Sequence, residues 1–139
     1  MKHIDHIGIA VKSLQNTIPF YTQILPLTLI SIETVESEKT KVAFLEADNI
    51  KIELLEATGC DSPIAKFIEK YGEGIHHIAF QVDSVEKSMK ELTENQVKLV
   101  NESPKLGAND SLIAFIHPKS AHGVLVELYE KKIAGGDLS

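Results

Sequence analysis

The sequence contains an internal repeat, which restricts the possible folds more than any other feature of the chain. A stretch reading Ile-Asp-His-Ile-Gly-Ile-Ala-Val begins at Ile4, and a similar stretch, Ile-His-His-Ile-Ala-Phe-Gln-Val, begins at Ile75. Val-Ala-Phe-Leu at 42–45 recurs as Ile-Ala-Phe-Ile at 113–116, with the same offset of 71 residues. The segment at 52–56 recurs at 126–130, offset by 74. The chain therefore consists of two modules of similar layout.

The two modules are expected to share one sheet, because half of a 139-residue chain is too small to bury a stable core alone. The repeated stretches alternate in the manner of half-buried strands, and each module reads as βαβββ. The predicted fold class is α+β: two paired βαβββ modules forming an eight-stranded open cup-shaped sheet with the helices outside. We expect a single domain over residues 1–139, with module 1 at about 1–58, a linker helix at about 61–72 and module 2 at about 74–130.

Local signals refine this layout. Ser62-Pro63 predicts the start of the linker helix, because serine caps a helix and proline suits its first turn. In module 2, Asp83 is predicted to cap a helix that opens with Glu86 three residues later. A strand is predicted near residues 98–102.

Composition excludes several functional classes. The formal net charge of -6 and the pI near 5.5 argue against a nucleic-acid or anionic-membrane partner. All 14 positive residues are lysines, so the planar clamp that arginine offers to carboxylates and phosphates is missing. The single cysteine, Cys60, excludes an intramolecular disulfide and suits a reducing compartment. We expect a cytoplasmic protein, because no apolar run approaches the ~20 residues of a membrane span and the N-terminus carries no apolar signal region.

Four side chains of metal-binding type occupy matched positions in the two modules. Each repeated first strand carries a histidine on the face of its small residues, and each last strand carries a glutamate. If the modules pair into one curved sheet, these side chains all lie on its concave face: His6, Glu53, His77 and Glu127. Imidazole and carboxylate together suit a divalent ion such as Co²⁺, Mn²⁺, Ni²⁺, Fe²⁺ or Zn²⁺.

Each of these residues also has a purely structural interpretation. A strand histidine is more often a hydrogen-bonded structural residue than a ligand. A glutamate between apolar neighbours is harder to explain that way, since a buried carboxylate is costly without a partner. The matched positions favour the metal site. Strand alternation predicts that His76 faces away from His77 and plays at most a supporting role.

These residues resemble the vicinal oxygen chelate superfamily, which includes glyoxalase I, extradiol dioxygenases and fosfomycin-resistance proteins. The resemblance runs from about Ile4 to Tyr129, and its specific part begins at Asp61. Within the superfamily, five segments are similar to the methylmalonyl-CoA epimerase family: Asp-Ser-Pro-Ile-Ala-Lys-Phe at 61–67, Gly-Ile-His-His-Ile at 74–78, Pro-Lys-Leu-Gly-Ala at 104–108, His-Pro-Lys at 117–119 and Gly-Val-Leu-Val-Glu-Leu at 123–128.

The resemblance implies an epimerase that interconverts (R)- and (S)-methylmalonyl-CoA by proton abstraction next to the thioester, through a metal-stabilised enolate. It implies His6, His77 and Glu127 as metal ligands, with Glu53 where family members have a Gln or Glu ligand, and Glu127 as a catalytic residue. The implied cofactor is a divalent metal ion, Co²⁺ first, with Zn²⁺, Mn²⁺ or Ni²⁺ as alternatives. The implied partners are an acyl-CoA substrate and a second copy of the chain in a homodimer. Lys105 and Lys119 could meet a CoA phosphate or the substrate carboxylate, and a solvated lysine is the default interpretation of both.

The chain departs from the family at one catalytic position. A family member carries a second catalytic glutamate on the third strand, and the matching position here is Val42. Glu46 lies two pleats along the same face, and we do not expect it to be the replacement.

Two other functional classes compete with the epimerase. One is another metal-dependent, glyoxalase-like isomerase or lyase, or an oxygenase; glutathione and fosfomycin sites usually use arginine, and dioxygenases of this fold are usually longer. The other is a non-catalytic module of the same fold that binds small molecules. The four ligand-type residues argue against that last class.

Overall fold

The computed structural model of the protein describes residues 3–131. It contains eight strands, three α-helices and a π-helical turn at Phe20–Ile24. The strands are β1 (His3–Ala10), β2 (Thr28–Val35), β3 (Thr40–Glu46), β4 (Lys51–Ala57), β5 (Gly74–Gln81), β6 (Lys105–Leu106), β7 (Leu112–Ile116) and β8 (Val126–Glu130). The helices are α1 (Leu14–Pro19), α2 (Pro63–Tyr71) and α3 (Val85–Glu94).

All eight strands form one mixed sheet with the order β2-β3-β4-β1-β5-β8-β7-β6. Strand β1 pairs parallel with β4, and its counterpart β5 pairs parallel with β8. The two halves join through the antiparallel pair β1–β5 at the centre. The predicted eight-stranded, glyoxalase-like sheet of two βαβββ modules is confirmed.

Helices α1 and α3 cover equivalent parts of the two modules. The buried cluster under α1 contains Val11, Leu14, Ala43, Leu45 and Leu54. The buried cluster under α3 contains the residues at the repeat-related positions: Val82, Val85, Ala114, Ile116 and Leu128. The repeat seen in the sequence is therefore a repeat of core contacts, which is why both modules fold to the same plan.

Helix α2 contacts a different cluster. Ser62 caps it as predicted, accepting a hydrogen bond from the Ile64 amide at 3.1 Å, and Pro63 occupies its first turn. Ile64 packs in a cluster with Val42 and Leu55, and these three residues also line the central cavity. The helix that links the modules thus helps to form the wall of the site.

Two local predictions are wrong. The cap of α3 is Ser84, whose hydroxyl accepts from the Lys87 amide at 3.1 Å, because Ser84 and not Asp83 directly precedes the first helical residue. Residues 98–102 form no strand and make one isolated bridge, Leu99 to Ile116. The edge strand β6 lies further along, where Lys105 pairs with Ile113.

Within residues 3–131, no helix has both the length and the apolar character needed to cross a membrane. The extent of the single domain, residues 1–139, stays a prediction, since 1–2 and 132–139 lie outside the described residues.

Candidate metal centre and active site

The four predicted ligand side chains come together across the central strand pair. His6 Nε2 lies 3.2 Å from His77 Nε2, and Glu127 Oε1 lies 3.1 Å from His77 Nε2 and 3.6 Å from His6 Nε2. Glu53 Oε2 lies 3.2 Å from His6 Nδ1. All four residues are buried. One ligand atom each from His6, Glu53 and His77 can be chosen so that all three lie within 4.8 Å of one another.

Strand register explains this convergence. In the antiparallel β1–β5 pair Gly8 faces His77, and His6 faces Ala79. The parallel pairs place Glu53 of β4 beside Gly8 and Glu127 of β8 beside Ala79. Gly8 therefore lies between His77 and Glu53 on the two neighbouring strands. In the same way, Ala79 lies between His6 and Glu127.

The room for His77 depends on the missing side chain of Gly8. A Cβ built at Gly8 would lie 2.2 Å from His77 Cε1, well inside any permitted contact. At the repeat-related position the chain has Ala79, whose methyl group fits opposite His6. The two halves of the site are therefore similar and not identical.

Two β-bulges bring further side chains to the site. The register of β1 and β5 shifts between Ile4 and His6 and again between Gly8 and Ile9, so Asp5 and His76 are each an extra residue in their strand. Asp5 Oδ2 lies 2.8 Å from His6 Nδ1, and His76 Nδ1 lies 2.9 Å from His77 Nδ1. The prediction that His76 faces away from His77 is wrong, because the bulge interrupts the alternation on which it relied.

The bulge residues contact the Nδ1 atoms of the two histidines, and at His6 this nitrogen also faces Glu53. A hydrogen bond at Nδ1 fixes the tautomer in which Nε2 offers its lone pair to the centre of the site. Burial and the neighbouring His77 lower the pKa of His76 to about 4, so this ring is neutral and can accept. Phe67 packs edge-on against it, with ring centroids 5.0 Å apart.

The electrostatics of the site call for positive charge. Burial works against protonation of His6, but the carboxylates of Glu53, Asp5 and Glu127 raise its pKa to about 10. Burial raises the pKa of Glu53 to about 7, against the attraction of His6. Burial also opposes ionisation of Glu127, yet hydrogen bonding to His6 and His77 lowers its pKa to about 2. The carboxylates thus favour a cation at their centre.

The donor set fits a divalent metal ion. The two imidazole Nε2 atoms and one oxygen of Glu127 lie within 3.6 Å of one another. A second carboxylate, that of Glu53, contacts the ring of His6. Such crowding of acceptor atoms is unfavourable unless a proton or a metal ion lies between them. Two histidines with two carboxylates suit zinc, cobalt, nickel, iron or manganese better than calcium or magnesium.

This cluster opens into a cavity of about 60 Å³. Apart from the metal-type residues its wall is mainly apolar, and it includes Val35, Val42, Leu55, Ile64, Ile113 and Phe115. Val42 lies in this wall as a buried residue. Glu46 is exposed at the end of β3 and does not line the cavity. The site combines a polar cluster with an apolar enclosure, the usual form of a small-molecule site.

Residues 5–115 match the family described as the Glyoxalase/Bleomycin resistance protein/Dioxygenase superfamily. The chain belongs to this superfamily. That assignment confirms the resemblance to this superfamily that the sequence motifs indicated.

Members of the superfamily that the chain is similar to include both characterised and uncharacterised proteins. It is 45% identical over 132 residues to the uncharacterized protein YqjC of Bacillus subtilis, covering 95% of this chain and 94% of that protein. It is 38% identical over 130 residues to the mitochondrial methylmalonyl-CoA epimerase of Dictyostelium discoideum, covering 92% and 78%. A Streptomyces coelicolor methylmalonyl-CoA epimerase variant in complex with 2-nitronate-propionyl-CoA superposes with a TM-score of 0.90 at 34% identity, covering 96% and 99%.

Sequence reasoning missed the contribution of Asp5. Asp5 directly precedes His6, and the residue 71 positions later is His76, so the repeat already marked both positions. In both copies of the strand a polar residue directly precedes the histidine, at a position where alternation would put it against the apolar layer. That polar residue was the sequence signal for the bulges.

Proposed function

We propose that this superfamily member is a metal-dependent epimerase that interconverts (R)- and (S)-methylmalonyl-CoA. The observation that carries the proposal is the position of Glu127: its Oε1 lies within 3.6 Å of both imidazole Nε2 atoms, at the wall of a mainly apolar cavity. A carboxylate placed there can bind a cation and can also exchange a proton with a substrate carbon beside it. The epimerases among the similar proteins, one bound to an acyl-CoA analogue, support this choice of substrate.

His6, Glu53, His77 and Glu127 would hold the divalent ion, with Co²⁺ as our first expectation and Zn²⁺, Mn²⁺ or Ni²⁺ as alternatives. When bound, the ion supplies Lewis-acid stabilisation of the enolate that forms when the carbon between the thioester and the carboxylate loses its proton. The chain has no arginine for that purpose.

Glu127 is our candidate for a group that takes or returns this proton. Its Oε1 lies 3.1 Å from His77 Nε2 and 3.6 Å from His6 Nε2, so one carboxylate oxygen faces the histidines and the second would serve the substrate. The apolar wall excludes bulk water and strengthens charge interactions within the cavity. The neighbouring Tyr129 remains a neutral phenol, because burial and the carboxylates of Asp5, Glu53 and Glu127 raise its pKa to about 12.

Two further expectations go with this function. We propose that the protein acts on acyl-CoA in the cytoplasm and as a homodimer. Strand β2 at the sheet edge exposes Leu29, Ile30 and Ile32, which is consistent with a surface that another chain covers. Light scattering that shows a monomer would contradict the dimer.

Two separate assays distinguish the proposed substrate from the substrate of the glyoxalase-like alternative. Purified, Co²⁺-loaded protein is assayed with one enantiomer of methylmalonyl-CoA and, separately, with the hemithioacetal of methylglyoxal and glutathione. We expect epimerisation of the first and no turnover of the second. Turnover of the hemithioacetal alone would assign the protein to the glyoxalase-like alternative.

The role of Glu127 is tested by Glu127→Gln, with Glu46→Gln as a matched control on an exposed glutamate outside the cavity. Loss of a proton-transfer group typically costs about 10²–10⁴-fold in rate. We expect a loss of this size in kcat for Glu127→Gln and none for Glu46→Gln. Unchanged turnover in Glu127→Gln would remove this residue from the mechanism.

A further inference from the structure

We propose that Glu38 is the second proton-transfer group of this enzyme, acting on the face of the substrate carbon opposite Glu127. The inference rests on the proposed epimerase function. Inversion at a carbon requires that a proton removed from one face is replaced from the other face. One fixed carboxylate cannot reach both faces.

The described residues that line the cavity offer few groups for this role. Four of its titratable side chains form the candidate metal centre. The remaining ones are His76, Tyr129 and Glu38. His76 is in contact with His77 and Phe67. Tyr129, whose pKa burial raises to about 12, could donate a proton but could not take one in the reverse reaction as an ionised base. Glu38 is the carboxylate that remains.

Glu38 lines the cavity from the half of the sheet that does not carry Glu127. It ends the 3-10 turn Glu36–Glu38 and comes just before β3, whose Thr40 and Val42 line the same cavity. Strand β3 lies on one side of the central β1–β5 pair, and β8, which carries Glu127, lies on the other. A substrate held between the two walls would have one carboxylate at each face.

The turn that carries Glu38 is fixed at both ends. Thr40 donates a hydrogen bond to the Glu38 carbonyl at 2.7 Å, and Ser37 donates to the Leu106 carbonyl, also at 2.7 Å. Lys39 pairs with Asp61 on the loop before α2. Such contacts give Glu38 the fixed position that a proton-transfer group requires.

The carboxylate itself has an unusual environment. Glu38 Oε2 is buried, and among the described residues its neighbour is the Lys105 ammonium, whose approach has the distance of an ion pair but not the angles of a hydrogen bond. It lies 2.5 Å from Lys105 Nζ, which comes from β6 in the other module. The side chains of Lys105 and Glu38 are 37% and 21% exposed, so the pair connects the cavity with solvent and offers a route for proton exchange.

One epimerisation turnover moves two protons and one electron pair. The C–H bond at the carbon between thioester and carboxylate breaks, its electron pair moves into the thioester carbonyl, and the proton goes to one glutamate. The other glutamate, protonated beforehand, then donates its proton to the opposite face, and the electron pair returns to form the new C–H bond. Exchange with water restores the original protonation of both glutamates.

The test follows each enantiomer of methylmalonyl-CoA separately in deuterated water by NMR. The variant is Glu38→Gln, and the matched control is Glu36→Gln, an exposed glutamate of the same turn that does not line the cavity. We expect Glu38→Gln to interconvert the enantiomers about 10²–10⁴-fold more slowly. The enantiomer whose C–H bond faces Glu127 should still exchange its proton for deuterium at close to the wild-type rate, whereas the other should not exchange.

The enantiomer that still exchanges serves as an internal control for folding and metal content. Interconversion at the wild-type rate in Glu38→Gln would overturn the proposal, and so would an equal fall in the exchange of both enantiomers, which is the result of a structural role. Failure of the wild-type protein to epimerise would instead refute the proposed function, and that result is seen before any variant is compared.

Discussion

Gly8 is the residue on which the geometry of the site depends most closely. Its missing side chain makes room for the His77 ring, which a Cβ would approach to 2.2 Å. Strand alternation correctly puts Gly8 and Ala79 on the ligand-bearing face, and the sequence shows that both are small. It does not show that only Gly8 must lack a side chain, because that depends on how closely β1 and β5 approach each other at this point.

Gly8→Ala should therefore displace His77 and weaken metal binding. We expect most of the metal to be lost after dialysis, as measured by elemental analysis, while the fold persists by circular dichroism. Gly59→Ala is the control, since a Cβ there meets only the Asp61 carboxylate at 3.1 Å. Full metal content in Gly8→Ala would show that His77 is not a ligand or has room to move.

At the scale of secondary structure, the β1–β5 pair shows what a sequence pattern can and cannot predict. The period-two pattern places the strands correctly and puts His6 and His77 on one buried face, because burial of one face enforces alternation. The same pattern fails at Asp5 and His76, where a bulge adds one residue to one strand and turns an additional polar group toward the site. A bulge arises from pairing between two strands, and neither strand specifies it alone.

The bulge at His76 has a measurable consequence. His76→Phe keeps a ring beside Phe67 but removes the nitrogen that lies 2.9 Å from His77 Nδ1. Removing such a supporting partner typically lowers metal affinity by about 10–100-fold, and we expect a loss in that range by isothermal titration with Co²⁺. His3→Phe, at an exposed position of β1, should bind as the wild type does. An unchanged affinity in His76→Phe would mean that this contact does not orient the ligand.

At the scale of the whole molecule, the candidate metal centre belongs to both modules. His6 and Glu53 come from module 1, and His77 and Glu127 come from module 2. The repeat allowed the topology and all four residues to be predicted, since equal offsets placed ligand-type side chains at equivalent positions. The contacts between β6 and the turn before β3, including the Glu38–Lys105 pair, could not be predicted, because they join segments that the repeat does not relate.

Because both modules contribute residues to the candidate metal centre, a cation bound there should stabilise the fold as a whole. At one hundred times its Kd, a ligand raises the free energy of unfolding by about 2.7 kcal/mol, which corresponds to roughly 10 °C in melting temperature for a chain of this size. We expect this rise with Co²⁺ by differential scanning fluorimetry, and its reversal by a chelator.

His6→Ala and His77→Ala should each abolish this stabilisation and release most of the metal. His122→Ala, at an exposed position, should retain both. A wild-type metal content in either ligand variant would show that the His/Glu cluster is structural.

We propose that this chain epimerises methylmalonyl-CoA at a metal ion held between its two modules. The most direct measurement follows a single enantiomer of methylmalonyl-CoA with chelator-treated protein and with the same protein after Co²⁺ is restored. We predict that the treated protein is inactive and that the restored protein produces the equilibrium mixture of both enantiomers. Equal epimerisation with and without metal, or none after Co²⁺ is restored, would contradict the claim.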